Sequence, residues 1–319
     1  MRAKLVVLAA LAALALPAEP AAARKPSADL VVSDVRATRY AFQGEPASHI
    51  TFCERTTNRG GAATGRRLHN VMVLVGSGAQ EIVAKRDVPK LAGSSRRRGH
   101  VVHHSHFGCG KGESTPLNVP LGMYEIQICA DLKLKAEPNR ARSNNCQINS
   151  KAFAVIKRSW TGTGSGFATD LFPDGNGKIS WQAASVTYTF SQYDPNTGQV
   201  LYKPAGSVNY QLAGTTGGGC TAAGGVTLGT SGGELKLDYK SENYKISAEV
   251  PPGSTAPVVY TCPGASATQP TPVSAYRYIT NGFDVGFTNP LPFGYTSISG
   301  IYQLSHSGSL SFESQWALH

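Results

Sequence analysis

The sequence predicts an all-β protein of two units, a β-sandwich followed by a Gly-rich antiparallel β-sandwich or barrel. Three observations carry this. Short segments rich in β-branched and aromatic residues recur along the chain, each closed by Gly, Pro, Asn or Ser. No stretch after the N-terminal segment shows a helical period of apolar residues. Only 16% of the 319 residues are charged, with 35 Gly and 19 Pro, which argues against disorder, coiled coil and helix bundle. The length suits two units that each bury a core.

The chain opens on a targeting pattern. Met1-Arg2-Ala3-Lys4 is basic, an apolar run of 12 residues extends from Leu5 to Leu16, and Pro17 breaks it. Ala21-Ala22-Ala23 supplies the small residues of a cleavage site, so residues 1–23 read as a secretory signal peptide. The run is shorter than the ~20 residues that a spanning helix needs. The mature chain is therefore expected to begin near Arg24, with no transmembrane segment, in the extracellular space or cell envelope.

Strands are expected at Ala28–Val35, Ser48–Thr56, Asn70–Val75, Gly99–Phe107, Tyr124–Leu132 and Ser150–Ile156. Segments of this length and spacing suggest an antiparallel sandwich. Further on, Ala184–Gln192 and Gln199–Leu212 flank Asp194-Pro195-Asn196-Thr197-Gly198, a strong hairpin-turn signal. Strands follow at Glu234–Tyr239, Tyr244–Val250, Val258–Cys262, Val273–Ile279 and Gly300–Trp316.

Composition divides the chain near residues 157–161. From Arg24 to Arg158 there are 22 Lys and Arg against 10 Asp and Glu; from Ser159 to His319 there are 6 against 9. Glycine runs the other way, with 12 in the first part and 23 in the second, which also holds Trp160, Trp181 and Trp316. Two domains are therefore expected, at 24–158 and 159–319.

The six cysteines form no CxxC pair of the kind zinc sites use, and disulfides suit an exported chain. Six thiols allow 15 pairings. If each half folds alone, Cys220 pairs with Cys262, while Cys53, Cys109, Cys129 and Cys146 keep three alternatives. Each bond is expected to stabilise its domain by roughly 2–4 kcal/mol.

The first half resembles a known family. The start Ala28-Asp29-Leu30-Val31-Val32 and the segment Ile50–Gly65, with Asn58-Arg59-Gly60-Gly61-Ala62, carry part of the likeness. So does Gly122-Met123-Tyr124-Glu125-Ile126-Gln127-Ile128-Cys129-Ala130-Asp131. The pattern closes with Glu137 and Ser143-Asn144-Asn145-Cys146. Together these look like a CARDB module, the cell-adhesion-related domain of bacteria, which is an immunoglobulin-like sandwich. The resemblance spans residues 27–157 and implies extracellular binding or adhesion, with no catalytic residues. It also implies that Cys129 pairs with Cys146, which leaves Cys53 with Cys109. The second half resembles Gly-rich β-domains of secreted bacterial proteins without pointing to one family.

The most unusual segment is Arg96-Arg97-Arg98-Gly99-His100-Val101-Val102-His103-His104-Ser105-His106. In one strand, Arg98, His100, Val102, His104 and His106 share a face. His100, His104 and His106 are then candidate ligands for zinc or copper. Arg96, Arg97, Arg98, Arg66 and Arg67 are candidates for anion binding, with Arg36, Arg39, Arg55, Arg59, Lys85 and Arg86 in support. The competing reading is a basic face that resists edge pairing. Export favours cell-envelope polymers, acidic glycans or a surface protein over nucleic acid, and no aromatic-interleaved basic motif is present.

Other patterns are weaker. Gly229-Thr230-Ser231-Gly232-Gly233 is similar to a serine-protease pentad, but Thr stands where an Asp belongs and no Ala-His-Cys element precedes it. Asp174-Gly175-Asn176-Gly177-Lys178 lacks the ligand spacing of a calcium loop. Tyr188, Tyr193, Tyr202, Tyr210, Tyr239, Tyr244, Tyr260, Trp160 and Trp181 are candidates for stacking on sugar rings. No cofactor or catalytic constellation emerges. The expectation is a non-catalytic binding or adhesion protein. Its alternatives are an exported hydrolase with its site in the second half, or a structural spacer.

Overall fold

The computed structural model describes residues 27–76, 79–131, 145–169, 176–274, 277–281, 289–291, 294–306 and 309–319. The predicted signal peptide, Glu137, Ser143-Asn144 and Asp174-Gly175 lie outside these residues. Strands dominate throughout, and the all-β prediction is borne out. Among the described residues, no helix is long and apolar enough to cross a membrane.

The first part contains β1 (Leu30–Ala37), β2 (Tyr40–Phe42), β3 (Thr51–Asn58), β4 (Leu68–Gly76) and β5 (Ala79–Val88). Then come β6 (Ser95–Arg97), β7 (His100–Val102), β8 (His104–Lys111), β9 (Gly122–Cys129) and β10 (Cys146–Ile156). Eight of these form one sheet in the order β1-β3-β8-β5-β4-β9-β10-β2. Its pairs are antiparallel except β2 with β10, which run parallel. β5 and β8 share a single register pair, Lys85 opposite Lys111, and there the sheet turns back on itself. The layer β1-β3-β8 thus faces β5-β4-β9-β10-β2, and β1 touches β9 and β10 across the core. Alternation sets the faces: on β3, Phe52, Glu54, Thr56 and Asn58 are buried while Thr51, Cys53, Arg55 and Thr57 look outward.

One element between the layers is ionic. Glu54 Oε1 accepts from Arg86 at 2.5 Å and from Asn70 Nδ2 at 2.7 Å, and Thr56 donates to Oε2 at 2.8 Å. Arg86 also donates to the carbonyls of Glu54 and Gly108. Burial pushes the Glu54 carboxyl up, against Thr56, Arg86 and Asn70, which draw it down.

The second part contains β11 (Ser159–Thr169), β12 (Asn176–Asp194), β13 (Gln199–Thr215), β14 (Thr221–Gly229), β15 (Gly232–Asp238) and β16 (Asn243–Glu249). It continues with β17 (Thr255–Cys262), β18 (Ala265–Pro272), β19 (Ile279–Thr280), β20 (Asn289–Pro290), β21 (Ile298–His306) and β22 (Ser309–Leu318). The backbone of this 12-stranded sheet is β18-β17-β14-β13-β12-β11-β22-β21. The long strand β13 serves two partners on one side, β15 along Gln199–Tyr202 and β14 along Ser207–Thr215. Pro204 and Gly206, the latter at φ +146°, sit where the partner changes. β15, β16 and β19 curl over the inner face, closing a core around Trp181, Tyr188, Tyr202, Tyr210, Ile246, Phe312 and Trp316.

Gly166 on β11 lies where an added Cβ would meet the Trp181 ring at 2.6 Å, so the indole rests directly on strand backbone. At the outer edge, Pro257 of β17 faces Pro270 of β18. Two residues without N–H make this a non-hydrogen-bonded pair, so Ser266, Thr268, Pro270 and Pro272 direct their backbone outward. Two of those four lack a donor, and the edge is blunted against pairing.

Several boundaries differ from the sequence expectation. β2, β5, β6, β11, β14, β18 and β20 were not anticipated; Glu81, Lys85, Arg86 and Asp87 mask the strand pattern in β5, and alternating glycines do so in β11. Of the described residues of Val273–Ile279, only Ile279 lies in a strand, β19, although Val273, Tyr278 and Ile279 are buried. Gly300–Trp316 is the hairpin β21–β22 rather than one strand. The Asp194–Gly198 turn forms as expected, with Asp194 Oδ1 accepting from the Asn196 N–H at 2.9 Å and Gly198 at φ +78°.

The first sheet ends at Ile156 and the second begins at Ser159, and their cores join. Tyr40 and Phe42 pack on Phe190 with ring centroids 5.3 and 5.2 Å apart, and Tyr40 meets Tyr193. Arg158 donates to Glu45 at 2.5 Å while lying over the Phe42 ring. That bond holds the Glu45 carboxyl below its usual range.

Candidate anion-binding surface

The Arg- and His-rich segment does not form one strand. Arg98 at φ +49° and Gly99 at φ +82° make a two-residue turn, and β6 and β7 pair around it as an isolated hairpin. Both turn residues have positive φ, the conformation that matches the twist of a tight hairpin. His103 then breaks the chain before β8. His100 accordingly stands on the hairpin, whereas His104 and His106 stand on β8 opposite Asn58 and Thr56. The single face expected for Arg98, His100, Val102, His104 and His106 is not present. Among the described residues, no group of three or more His, Cys, Asp or Glu is placed to hold a metal ion.

Every residue from Ser95 to Ser105 is exposed, including Arg96, Arg97 and Arg98. No Asp or Glu occurs between Asp87 and Glu113. The two flanking acids are engaged elsewhere, Asp87 with His69 at 2.6 Å and Glu113 with Lys85 at 2.7 Å. The hairpin is thus a protruding cationic arm with no carboxylate in its own segment, and its field attracts anions.

Its root is anchored by one buried amide. Asn58 Oδ1 accepts from the N–H groups of Asp29 and Gly60, and Nδ2 donates to the carbonyls of Ala62 and Ala92. Further bonds from Thr64 N–H to Leu91 O and from Ser94 N–H to Gly60 O tie the loop 59–67 to the residues entering β6. This brings Arg59 and Arg67, both exposed, to the base of the arm. Replacing Asn58 with Ala leaves those groups without their partner. The expected loss of stability is about 1–3 kcal/mol for each buried group left unpaired, read by chemical denaturation.

The other basic candidates divide. Arg66 binds Asp131 through two contacts of 3.0 and 2.8 Å, and the Asp131 side chain is only 2% exposed, so this cation organises the fold. Arg86 belongs to the buried Glu54 network, and Arg55 pairs with Asp34 at 2.6 Å. Arg36 and Arg39 are exposed.

Most aromatic candidates for sugar stacking are corrected, while Tyr239 and Tyr260 are half-buried against the core. Trp160, Trp181, Tyr188, Tyr202, Tyr210 and Tyr244 are all buried, and burial pushes each of these phenols up. Tyr193, driven up to about 12 mainly by burial, packs at the junction of the two sheets. These rings face inward because they occupy the buried phase of their strands, where a large apolar surface contributes most.

Of the six described carboxylates of the second half, Glu234 and Glu249 lie on the same face of β15 and β16, with Glu234 opposite Ser247 and Glu249 opposite Gly232. Asp194 and Asp238 cap turns, Glu249 pairs with Arg277 at 2.8 Å, and Glu313 accepts from Gln303 and Gln315. The Gly229–Gly233 pentad is a connection, with Gly229 closing β14 and Gly232-Gly233 opening β15.

All six cysteines are paired, as Cys53–Cys109, Cys129–Cys146 and Cys220–Cys262. The first two bonds join residues directly opposite across β3–β8 and β9–β10. No family model matches the chain, and no curated protein or solved structure matches it.

Proposed function

We propose that this chain is an exported, non-catalytic binding protein of the adhesion type that meets an anionic polymer of the cell envelope or cell surface. The observation that carries the reading is the exposed β6–β7 hairpin, with Arg96, Arg97 and Arg98 at its tip and no acid in its segment. The hairpin stands on a rigid sandwich, so orientation is set by the scaffold while the arm supplies charge. The signal-peptide pattern of residues 1–23 supports export, and three disulfides suit an oxidising compartment. The CARDB-like motifs support the adhesion reading. So does the strand order of the first sheet, with β2 parallel to β10 at the edge, which fits an immunoglobulin-like sandwich.

The test is co-sedimentation of residues 24–319 with purified envelopes across a salt series, beside the triple variant Arg96→Ala, Arg97→Ala, Arg98→Ala. Polyanion binding releases counterions, so affinity is expected to fall steeply with salt. The triple variant is expected to weaken binding about tenfold or more at low salt and to flatten the salt slope by about 2–3. Salt-insensitive binding, or a variant that binds like the parent, overturns the assignment to the hairpin. No sedimentation at any salt removes the envelope as partner.

A further inference from the structure

The outer face of the β1-β3-β8 layer carries a disulfide set apart from the other two by its surroundings. Cys53 and Cys109 sit opposite each other on β3 and β8, on the side away from the core, and Cys109 is exposed. Arg36 of β1 is the register partner of Cys53 on its other side, so Arg36, Cys53 and Cys109 form one row across three strands. Lys111 lies two residues beyond Cys109, and Arg55 two beyond Cys53, on the same face. Asp34 engages Arg55; among the described residues, Arg36 and Lys111 have no carboxylate partner.

Among the described residues, no cation is in register with Cys129, Cys146 or Cys262. Cys129 is 1% exposed among Val71, Val73 and Val75. Cys220 and Cys262 are half-buried and lie in stretches with no charged residue between Lys203 and Glu234 or between Glu249 and Arg277.

We propose that Cys53–Cys109 is a thiol–disulfide exchange site selective for anionic low-molecular-weight thiols. An incoming thiolate attacks the Sγ of Cys109, the more exposed residue of the pair, and forms a new S–S bond. The Cys53–Cys109 bond breaks, and its electron pair leaves on Cys53 as a thiolate, which takes a proton from water. A second thiolate can attack the small-molecule sulfur of the mixed disulfide, releasing the Cys109 thiolate and a small-molecule disulfide. Arg36 and Lys111 raise the local concentration of an anionic attacker and stabilise the leaving thiolate. The eight register pairs of β3 and β8 hold the strands together without the bond, so the product remains folded.

The test exposes the folded, disulfide-intact chain to reduced glutathione, which is net anionic, or to cysteamine, which is cationic. Each rate is normalised to the same thiol's rate with an uncharged small disulfide. Acid quenching, alkylation and peptide mass mapping then locate the opened bonds. Adducts are expected first at Cys109 or Cys53. Glutathione is expected to react several-fold faster than cysteamine after normalisation, with the advantage collapsing at about 1 M salt, where the Debye length is about 3 Å. The double variant Arg36→Ser, Lys111→Ser is expected to lose that advantage, and the salt series on the parent chain gives the same information without a variant. Opening of Cys220–Cys262 or Cys129–Cys146 at an equal or greater rate overturns the proposal. Equal normalised rates for the two thiols, or an advantage that survives salt, overturn its electrostatic basis.

Discussion

Arg86→Ala is expected to lower the unfolding free energy by about 3–5 kcal/mol, the cost of leaving one partner of a buried ion pair uncompensated. The Arg86 side chain is 4% exposed and that of Glu54 is not exposed at all, so water cannot take the place of the guanidinium. The loss also strips the carbonyls of Glu54 and Gly108 of a donor, and Gly108 is on the neighbouring strand β8. The effect carries a pH signature. Burial already holds the Glu54 carboxyl above its unfolded value of 4.5, so the folded chain keeps that proton where the unfolded chain releases it. The contribution of Glu54 is therefore greatest below about pH 4.5 and is lost as pH rises through the raised folded value. Without Arg86, one of the groups drawing the carboxyl down is gone and the folded value rises further. Denaturant titrations at pH 5 and pH 7 should show a smaller difference between variant and parent at the lower pH. An equal loss at both values rules out an ionised Glu54 as the origin.

Trp181→Ala is expected to cost about 3–5 kcal/mol, the range for removing a large buried ring. The indole packs on Phe312 with centroids 5.5 Å apart and on Tyr210 at 6.2 Å, and its N–H donates to the Tyr278 carbonyl at 2.9 Å. Three parts of the second sheet depend on it, because these contacts come from β13, from β22 and from the irregular segment before β19. Gly166 leaves the indole with backbone rather than a side chain beneath it, so Gly166→Ala should also destabilise, through overpacking rather than a cavity. Thermal unfolding of both variants tests the pair. A loss below about 1 kcal/mol for Trp181→Ala would mean the site collapses around the missing ring.

Much of the architecture was legible from local chemistry. Alternation predicted the strand at Tyr244–Val250, since period 2 follows from the pleat alone, and a continuous apolar run predicted the one at Asn70–Val75, which is buried on both faces. Asp-Pro-Asn-Thr-Gly predicted the β12–β13 turn because Asp and Gly meet its backbone needs within five residues. The cationic character of residues 96–98 was also legible, as charge is additive and needs no fold.

What the sequence by itself determined is therefore the strand class, the turn chemistry and the presence of a basic segment free of acids, each a property of residues close in the chain. Only the tertiary structure decided which charges face solvent. Arg66 and Arg86 read like Arg96 and Arg97 in sequence, yet Asp131 and Glu54, 65 and 32 residues away, draw the first two into the fold. The same holds for the aromatic rings, which either phase of a strand would carry and which burial assigned to the core. The break at His103 separates His100 from His104 and His106 because β8 must pair with β3 while β7 pairs with β6. Partner choice between strands is a long-range event, and a pattern confined to neighbouring residues does not contain it.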